Sequence, residues 1–399
     1  MRGPSPLLPL VLAIGAGLAF GIAAPAAAMQ TRFLGEAFIR LLGWLMCPLI
    51  FCMLVDGAAA LGRNRGLGRI GLVMLLYFGA MSVLSMLAGL LSGWLLEPGI
   101  GMASAAPGGM ALARHAVSAQ EALPAWLGYL PPVHVNNLAV LALALPVGLA
   151  AGLWPRLPVL GWADPARKAL LGMVRMVLWL SPVAAFGAMA SAVGRAGPGT
   201  LLPLLKFILA INLASVLFIV FVYGAVARLG SVSLPRLLVF LRDELFLVAF
   251  TGATLAALAP MSDKLARLGC PRRLTDIVLP FSYSLNLAGT YLYIAMALVF
   301  LAEASAVHLG WHELAVMLGV GLLSSKGAVG VAGSGVATLA ATAALLGVAP
   351  ADTVALLFAI DRTMKCRLLT NVIGHGLACI VVAACDGSLD RQALRECFE

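Results

Sequence analysis

Apolar residues in this chain neither alternate at the period of a strand nor form a single stripe at the period of an amphipathic helix. They run on unbroken. Runs of about 20 residues or more, enough for a helix to cross hydrocarbon, fall at 7–28, 33–61, 70–96, 131–154, 167–194, 200–228, 274–302 and 351–385. Two further apolar stretches, 237–262 and 314–347, are interrupted by Gly, Ser, Thr, Lys or Pro. Backbone that leaves the helix at membrane depth survives only when buried in protein or lining a cavity, so these two read as re-entrant hairpins. The pattern predicts an all-α integral membrane protein with about eight transmembrane helices and two re-entrant helical hairpins. Residues 1–230 hold six of those helices, read as a scaffold for assembly plus part of the core, and residues 231–399 hold the rest of the core, with both hairpins and two broken helices.

The polar punctuation orients these elements. Arg63, Arg65, Arg69, Arg156, Arg167, Lys168, Arg228, Arg236, Arg242, Lys264, Arg267, Arg272 and Arg273 all fall on one side, whereas the opposite loops hold only Arg32, Arg114 and Arg195. The positive-inside rule then places both termini in the cytoplasm. The two hairpins enter from opposite faces, each followed by a helix, which is the pattern of an inverted repeat. Loop 97–130, rich in Gly, Ala and Pro, reads as external. Arg2, the run from Leu7 and Ala26-Ala27-Ala28 are arranged like a signal peptide. The run is nevertheless long enough to span, and an uncleaved first helix is expected.

Composition agrees. The chain is 62% hydrophobic and 11% charged, against about 25% charged in soluble domains. The net charge of +9 sits in short loops, which fits membrane orientation and not a nucleic-acid-binding stripe. The cysteines (Cys47, Cys52, Cys270, Cys366, Cys379, Cys385, Cys397) form no CxxC pair, so neither a disulfide framework nor a metal cluster is read. His308 and His312 have zinc-ligand spacing but no third ligand. Ser325-Lys326 is a poor hydrolytic dyad without a Gly-x-Ser-x-Gly elbow, and no phosphate loop is present. No enzyme is expected.

Chemistry concentrates after residue 244. Ser324 through Gly335 (Ser-Ser-Lys-Gly-Ala-Val-Gly-Val-Ala-Gly-Ser-Gly) leaves backbone groups free to face a ligand. The alternative is a small-residue helix seam, against which Lys326 argues. Arg367 lies mid-run, where a charge is costly and usually functional, and its guanidinium fits a carboxylate fork-to-fork. The alternative for Arg367 is an internal ion pair with Asp361.

These motifs resemble the dicarboxylate/amino acid:cation symporter family, the glutamate-transporter fold, and look most like its bacterial C4-dicarboxylate carriers. Residues 324–335 resemble the tip of that family's second hairpin. Asn286-Leu287-Ala288-Gly289-Thr290 resembles its Asn-Met-Asp-Gly-Thr break in the seventh helix. Asp361 through Asn371 resembles its eighth helix, and Thr251 to Cys270 its first hairpin. Cys47-Pro48-Leu49-Ile50-Phe51 and Glu97-Pro98-Gly99 agree more loosely. The resemblance implies a secondary carrier of small organic anions. It implies a homotrimer in a bacterial cytoplasmic membrane and an inverted-repeat transport core that moves against a scaffold. It also implies the site residues. Arg367, Thr290, Asn371, Thr254, Ser334 and Gly335 would hold the substrate. Asn286, Gly289, Asn371, His375, Ser324 and Ser325 would serve the coupling cation. No cofactor is implied beyond a bound sodium or a transported proton. A neutral or acidic amino-acid carrier, an anion channel and a non-transporting sensor are the competing readings.

The departures are specific. Met364 stands where amino-acid carriers of the family place the Asp that holds the substrate ammonium. Ala288 replaces the acid of the seventh-helix break, and His375 replaces an oxygen ligand. Gly252-Ala253-Thr254 and Leu255 replace the serine run and acid of the first hairpin. The step from Asp361 to Arg367 is one residue shorter than the family pattern, which in a continuous helix is a twist of about 100°. Lys326, Arg362, Lys365 and Arg367 face a single acid, Asp361. The site therefore leans positive, which favours an anion and leaves few hard oxygens for sodium. A protonated His375 could stand in for the missing cation. The plain alternative is a neutral core histidine.

Overall fold

The computed structural model describes residues 7–397 apart from 36, 39–40, 42–43, 46–47, 49–50, 53–54, 56–58, 60–67, 101–136, 155–158, 198, 200, 252–253, 306, 308, 326–333, 347–353, 355–356, 358–359 and 362. All regular structure among them is helical. The expectations placed on Cys47, Gly252, Ala253, His308, Lys326 and Arg362 lie outside the described residues.

Prolines divide several of the apolar runs. α1 (Leu7–Ala23) gives way to α2 (Pro25–Gln30) at Ala24. The run expected at 167–194 is two helices, α5 (Val159–Leu178) and α6 (Ser181–Ala196), with a proline in the first turn of the second. α3 (Gly68–Leu96) and α4 (Asn137–Leu153) fill two earlier runs. α7 (Leu201–Leu217) passes through a π-helical turn, Phe218–Tyr223, into α8 (Gly224–Leu229). α9 (Leu234–Phe240), α10 (Arg242–Thr251) and α11 (Leu255–Arg267) follow. The run at 274–302 is α12 (Arg272–Leu285) and α13 (Ala288–Ala304). α14 (Trp311–Ser325), α15 (Ser334–Leu346), α16 (Cys366–Asp386) and the short α17 (Arg391–Glu396) complete the order.

Four helical stretches among the described residues are long and apolar enough to cross a membrane: Ile70–Leu96, Leu201–Leu229, Arg272–Ala304 and Cys366–Asp386. Their burial separates them. The most apolar window of the third is 94% buried and those of the first two only 33%. On α3, Leu72, Leu75, Leu76, Leu91 and Leu95 face outward while Met74, Phe78, Met81, Met86 and Leu90 face the core. A helix apolar on its exposed face as well as its buried one needs a hydrocarbon surrounding. This is a multi-pass membrane protein.

Small residues set which helices meet. Gly17 and Gly21 on α1 lie flush against α6, where a Cβ would come within 2.6 Å of the Phe186 carbonyl oxygen and 2.8 Å of Val193 Cβ. Gly89 and Gly93 on α3 do the same against α13, meeting the Leu292 carbonyl and Val299. Both pairs have the four-residue spacing that lets membrane helices approach closely. One set of mutually packed helices is α1, α2 and α6; the other gathers α3, α7 and α10 to α16 around α13 and α16. α13 is the centre of the second set: every residue from Ala288 to Ala302 is buried.

α10 packs on α11, α14 packs on α15, and each of these pairs also packs on α13 or α16. Lys264 anchors the base of the first pair, donating to the Phe240 carbonyl at 3.0 Å, Asp243 at 2.8 Å and the buried Glu244 at 2.9 Å. The chain after α16 returns to the same place. Asp390 donates its backbone N–H to the Gly269 carbonyl at 2.9 Å while its carboxylate caps α17 through Gln392 and Ala393. Gly269 takes φ +99° and has no room for a Cβ beside Asp390, so only glycine suits this crossing.

Candidate functional site

The centre of the molecule is a helix that stops and restarts. At Asn286 and Leu287 the backbone leaves the helical region, with φ/ψ of −120°/65° and −103°/56°. A break inside buried apolar surroundings exposes carbonyls at the end of α12 and N–H groups at the start of α13, and each must find a partner. Leu287 offers no capping side chain. Asn371, from α16, supplies one: its Oδ1 accepts from the N–H of Gly289 at 2.9 Å and of Thr290 at 3.3 Å. Tyr291 turns back across the break and donates to the Leu285 carbonyl at 3.1 Å.

Those two N–H donors fix which end of the Asn371 amide is oxygen. Its Nδ2 then donates to Thr290 Oγ1 at 3.0 Å, so the Thr290 hydroxyl hydrogen is left to give to an acceptor.

A second break precedes α16. Ile360 and Asp361 are helical, Thr363–Lys365 form turns held by Thr363 N–H to Ile360 O and Met364 N–H to Asp361 O, and the helix resumes at Cys366. The step from Asp361 to Arg367 therefore passes through a non-helical turn, where a continuous-helix twist of about 100° per residue does not apply. The turn carries Asp361 back onto Arg367. Nη1 lies 2.8 Å from Asp361 Oδ1, and Nη2 donates to Oδ2 at 3.1 Å. Both residues are buried at 3% exposure, and the internal pair left open by the sequence is formed.

The guanidinium carries other contacts. Its Cζ lies 4.9 Å over the Tyr293 ring, a cation–π stack. Gly335, at the start of α15, abuts Nη1, and a Cβ there would also come within 3.5 Å of Thr290 Cγ2. Gly289 presses on the Arg367 carbonyl and the Thr370 side chain. Arg367 Nε is buried without an acceptor among the described residues. Arg367, Thr290, Asn371, Gly289 and Gly335 thus lie together.

Asn286 and His375 form an adjoining cluster. His375 Nδ1 is 2.8 Å from Ser282 Oγ, and Asn286 Nδ2 donates to Ser282 Oγ and to the Gly374 carbonyl, both at 3.3 Å. Asn286 Oδ1 and His375 Nε2 are buried without partners among the described residues. Thr254 is buried at the N-terminal end of α11, within the helix pair that packs on α16. Ser324 and Ser325 close α14 and Ser334 opens α15, flanking residues 326–333, outside the described residues. Sequence reasoning missed Tyr293 and Ser282. Only Tyr293 left a signal, three residues after Thr290 and so on the same helix face.

Comparison with known proteins bears on this geometry. The profile of the family described as Sodium:dicarboxylate symporter family matches residues 7–385. The C4-dicarboxylate transport protein of Burkholderia cenocepacia (strain HI2424) is 38% identical over 403 residues, covering 98% of this chain and 94% of its own. That of Burkholderia ambifaria (strain MC40-6) is 38% identical over 400 residues, covering 97% and 93%. C4-dicarboxylate transport protein 4 of Bradyrhizobium diazoefficiens is 36% identical over 401 residues, covering 97% and 90%.

Proposed function

We propose that this chain, which belongs to the Sodium:dicarboxylate symporter family, carries C4-dicarboxylates across the membrane in symport with a cation. The observation that carries the substrate site is the buried Arg367, whose guanidinium and the Thr290 side chain both border Gly335 where two helix breaks meet. One substrate carboxylate binds the guanidinium and takes the Thr290 O–H, while the first turn of α13 adds its partial positive charge. Tyr293 and Asp361 hold the guanidinium plane in place beforehand, so binding orders little.

The helix pairs α10–α11 and α14–α15 act as the two re-entrant hairpins and close the site from opposite sides. The set around α13 and α16 moves against the set of α1, α2 and α6 to alternate access. The reading extends to a homotrimer in a bacterial cytoplasmic membrane with both termini inside, an orientation that the basic loops support.

The coupling ion is the proton. Sodium needs several hard oxygens, yet Ala288 has none and Asn371 Oδ1 is occupied by two backbone N–H groups. His375 offers nitrogen. Uptake of succinate, fumarate, malate and aspartate into proteoliposomes, with sodium and proton gradients imposed separately, tests substrate and ion together. Uphill accumulation of dicarboxylates is the expected result; binding without flux, or flux that never exceeds equilibrium, refutes a coupled carrier.

A further inference from the structure

The π-helical turn between α7 and α8 has no part in the site as described. Such turns insert one residue into a helix and re-aim the side chains around it, often near functional positions. The side chain aimed inward here is Tyr223, wholly buried, its ring held edge-on by Phe218 at a centroid distance of 5.1 Å. Its hydroxyl donates to the Thr370 carbonyl on α16 at 3.1 Å. The same oxygen occupies the space beside Gly374, where a Cβ would collide with it and lie 3.7 Å from Asn286 Nδ2. Between Thr370 and Gly374 lies Asn371, which caps α13, and the Gly374 carbonyl receives Asn286 at the end of α12. One phenol oxygen thus holds the stretch of α16 that touches both sides of the central break.

We infer that Tyr223 is a positioning residue for transport: its hydroxyl sets how deeply α16 seats on the α12–α13 break, and through Asn371 the placing of Thr290 and Arg367. The inference rests on the substrate site proposed above. Losing a hydroxyl donor while keeping the ring leaves the packing intact but lets α16 settle toward the vacated space, which shifts the cap on α13. A glycine at 374 is then required by the approach of the phenol, its oxygen above all, and not by backbone conformation, since the position lies inside a regular helix.

The test is initial-rate uptake of labelled succinate by the full chain in proteoliposomes, with thermal stability measured in parallel. Tyr223→Phe should raise the KM for succinate between about twofold and tenfold, the span of a single neutral hydrogen bond, with the maximal rate nearly unchanged. Gly374→Ala should cut uptake at least about tenfold, because its methyl meets the hydroxyl. Combining Gly374→Ala with Tyr223→Phe removes the oxygen that would collide with the new methyl and leaves the ring Cζ at 3.1 Å, so uptake should recover well above Gly374→Ala alone, toward the level of Tyr223→Phe. A purely structural role would lower the melting temperature of Tyr223→Phe and leave its KM untouched. That result, or a double variant no better than Gly374→Ala, overturns the inference while the carrier reading stands. A wild-type chain that takes up no dicarboxylate removes both.

Discussion

At the scale of single residues, charge decides the behaviour of the site. Breaking a buried ion pair costs about 3–5 kcal/mol because one charge is stranded. Arg367→Ala should therefore lower abundance somewhat, and should lower succinate affinity far more, by about a hundredfold or beyond. Binding of labelled succinate to purified protein, normalised to folded protein, separates the two; unchanged affinity would remove Arg367 from the site. On the proposed reading selectivity follows from Met364, which is buried and would face the ammonium of an amino-acid substrate. A buried unpaired ammonium is strongly disfavoured, so succinate or malate should compete at least about tenfold better than aspartate. Aspartate winning that competition would show that another group holds the amine. Arg367 and Asn371 were legible in the sequence because a mid-run charge and a polar residue four positions on share a helix face. The cap that Asn371 supplies was not, since Gly289 and Thr290 lie on another helix and only the fold brings them within reach. The pairing of Asp361 was left open for a similar reason: it depends on a turn whose shape spacing alone does not give.

Between helices, packing follows the small residues. Gly79 has nothing within 4 Å of where a Cβ would sit, whereas Gly89, on the same helix, lies against the Leu292 carbonyl. Gly89→Leu should destabilise the protein by about 1–3 kcal/mol or prevent α3 from docking, in the range of overpacked interiors. Gly79→Leu should be neutral within about 0.5 kcal/mol. Melting curves in detergent distinguish the pair, and equal effects at both positions would refute the close α3–α13 seam. Uninterrupted apolar runs revealed most of the helices, but not where proline or an asparagine divides a run in two. The split at Asn286 was visible only through family likeness. In the residues themselves, Ser282-Tyr283-Ser284-Leu285-Asn286 reads as ordinary helix until Asn371 is placed beside it.

For the whole molecule, the decisive quantity is the gradient that drives uptake. Depleted oxygen ligands predict accumulation that follows an imposed proton gradient and changes less than about twofold when sodium is replaced by a large organic cation at constant pH. Steep, cooperative dependence on sodium would show that backbone carbonyls complete a cation site despite Ala288. The membrane class and the concentration of chemistry after residue 244 were evident from hydropathy and glycine content, which need no tertiary information. The separation into two packed sets of helices was not, because which helices of residues 1–230 join the core, here α3 and α7, depends on packing that hydropathy does not encode.

The crossing of Gly269 and Asp390 also orders events during biosynthesis. Gly269 leaves the ribosome long before Asp390, so the turn beneath the first helix pair has only water for its carbonyl while the intervening helices are being inserted. Asp361, Arg367 and Asn371 also arrive late, after the break at Asn286 that Asn371 must cap. Until α16 follows, the backbone groups at Asn286 find partners only if the α12–α13 segment runs on as ordinary helix. Nascent chains stalled before residue 361 should be protease-sensitive at the turn around Gly269, and chains released beyond residue 390 should be protected there.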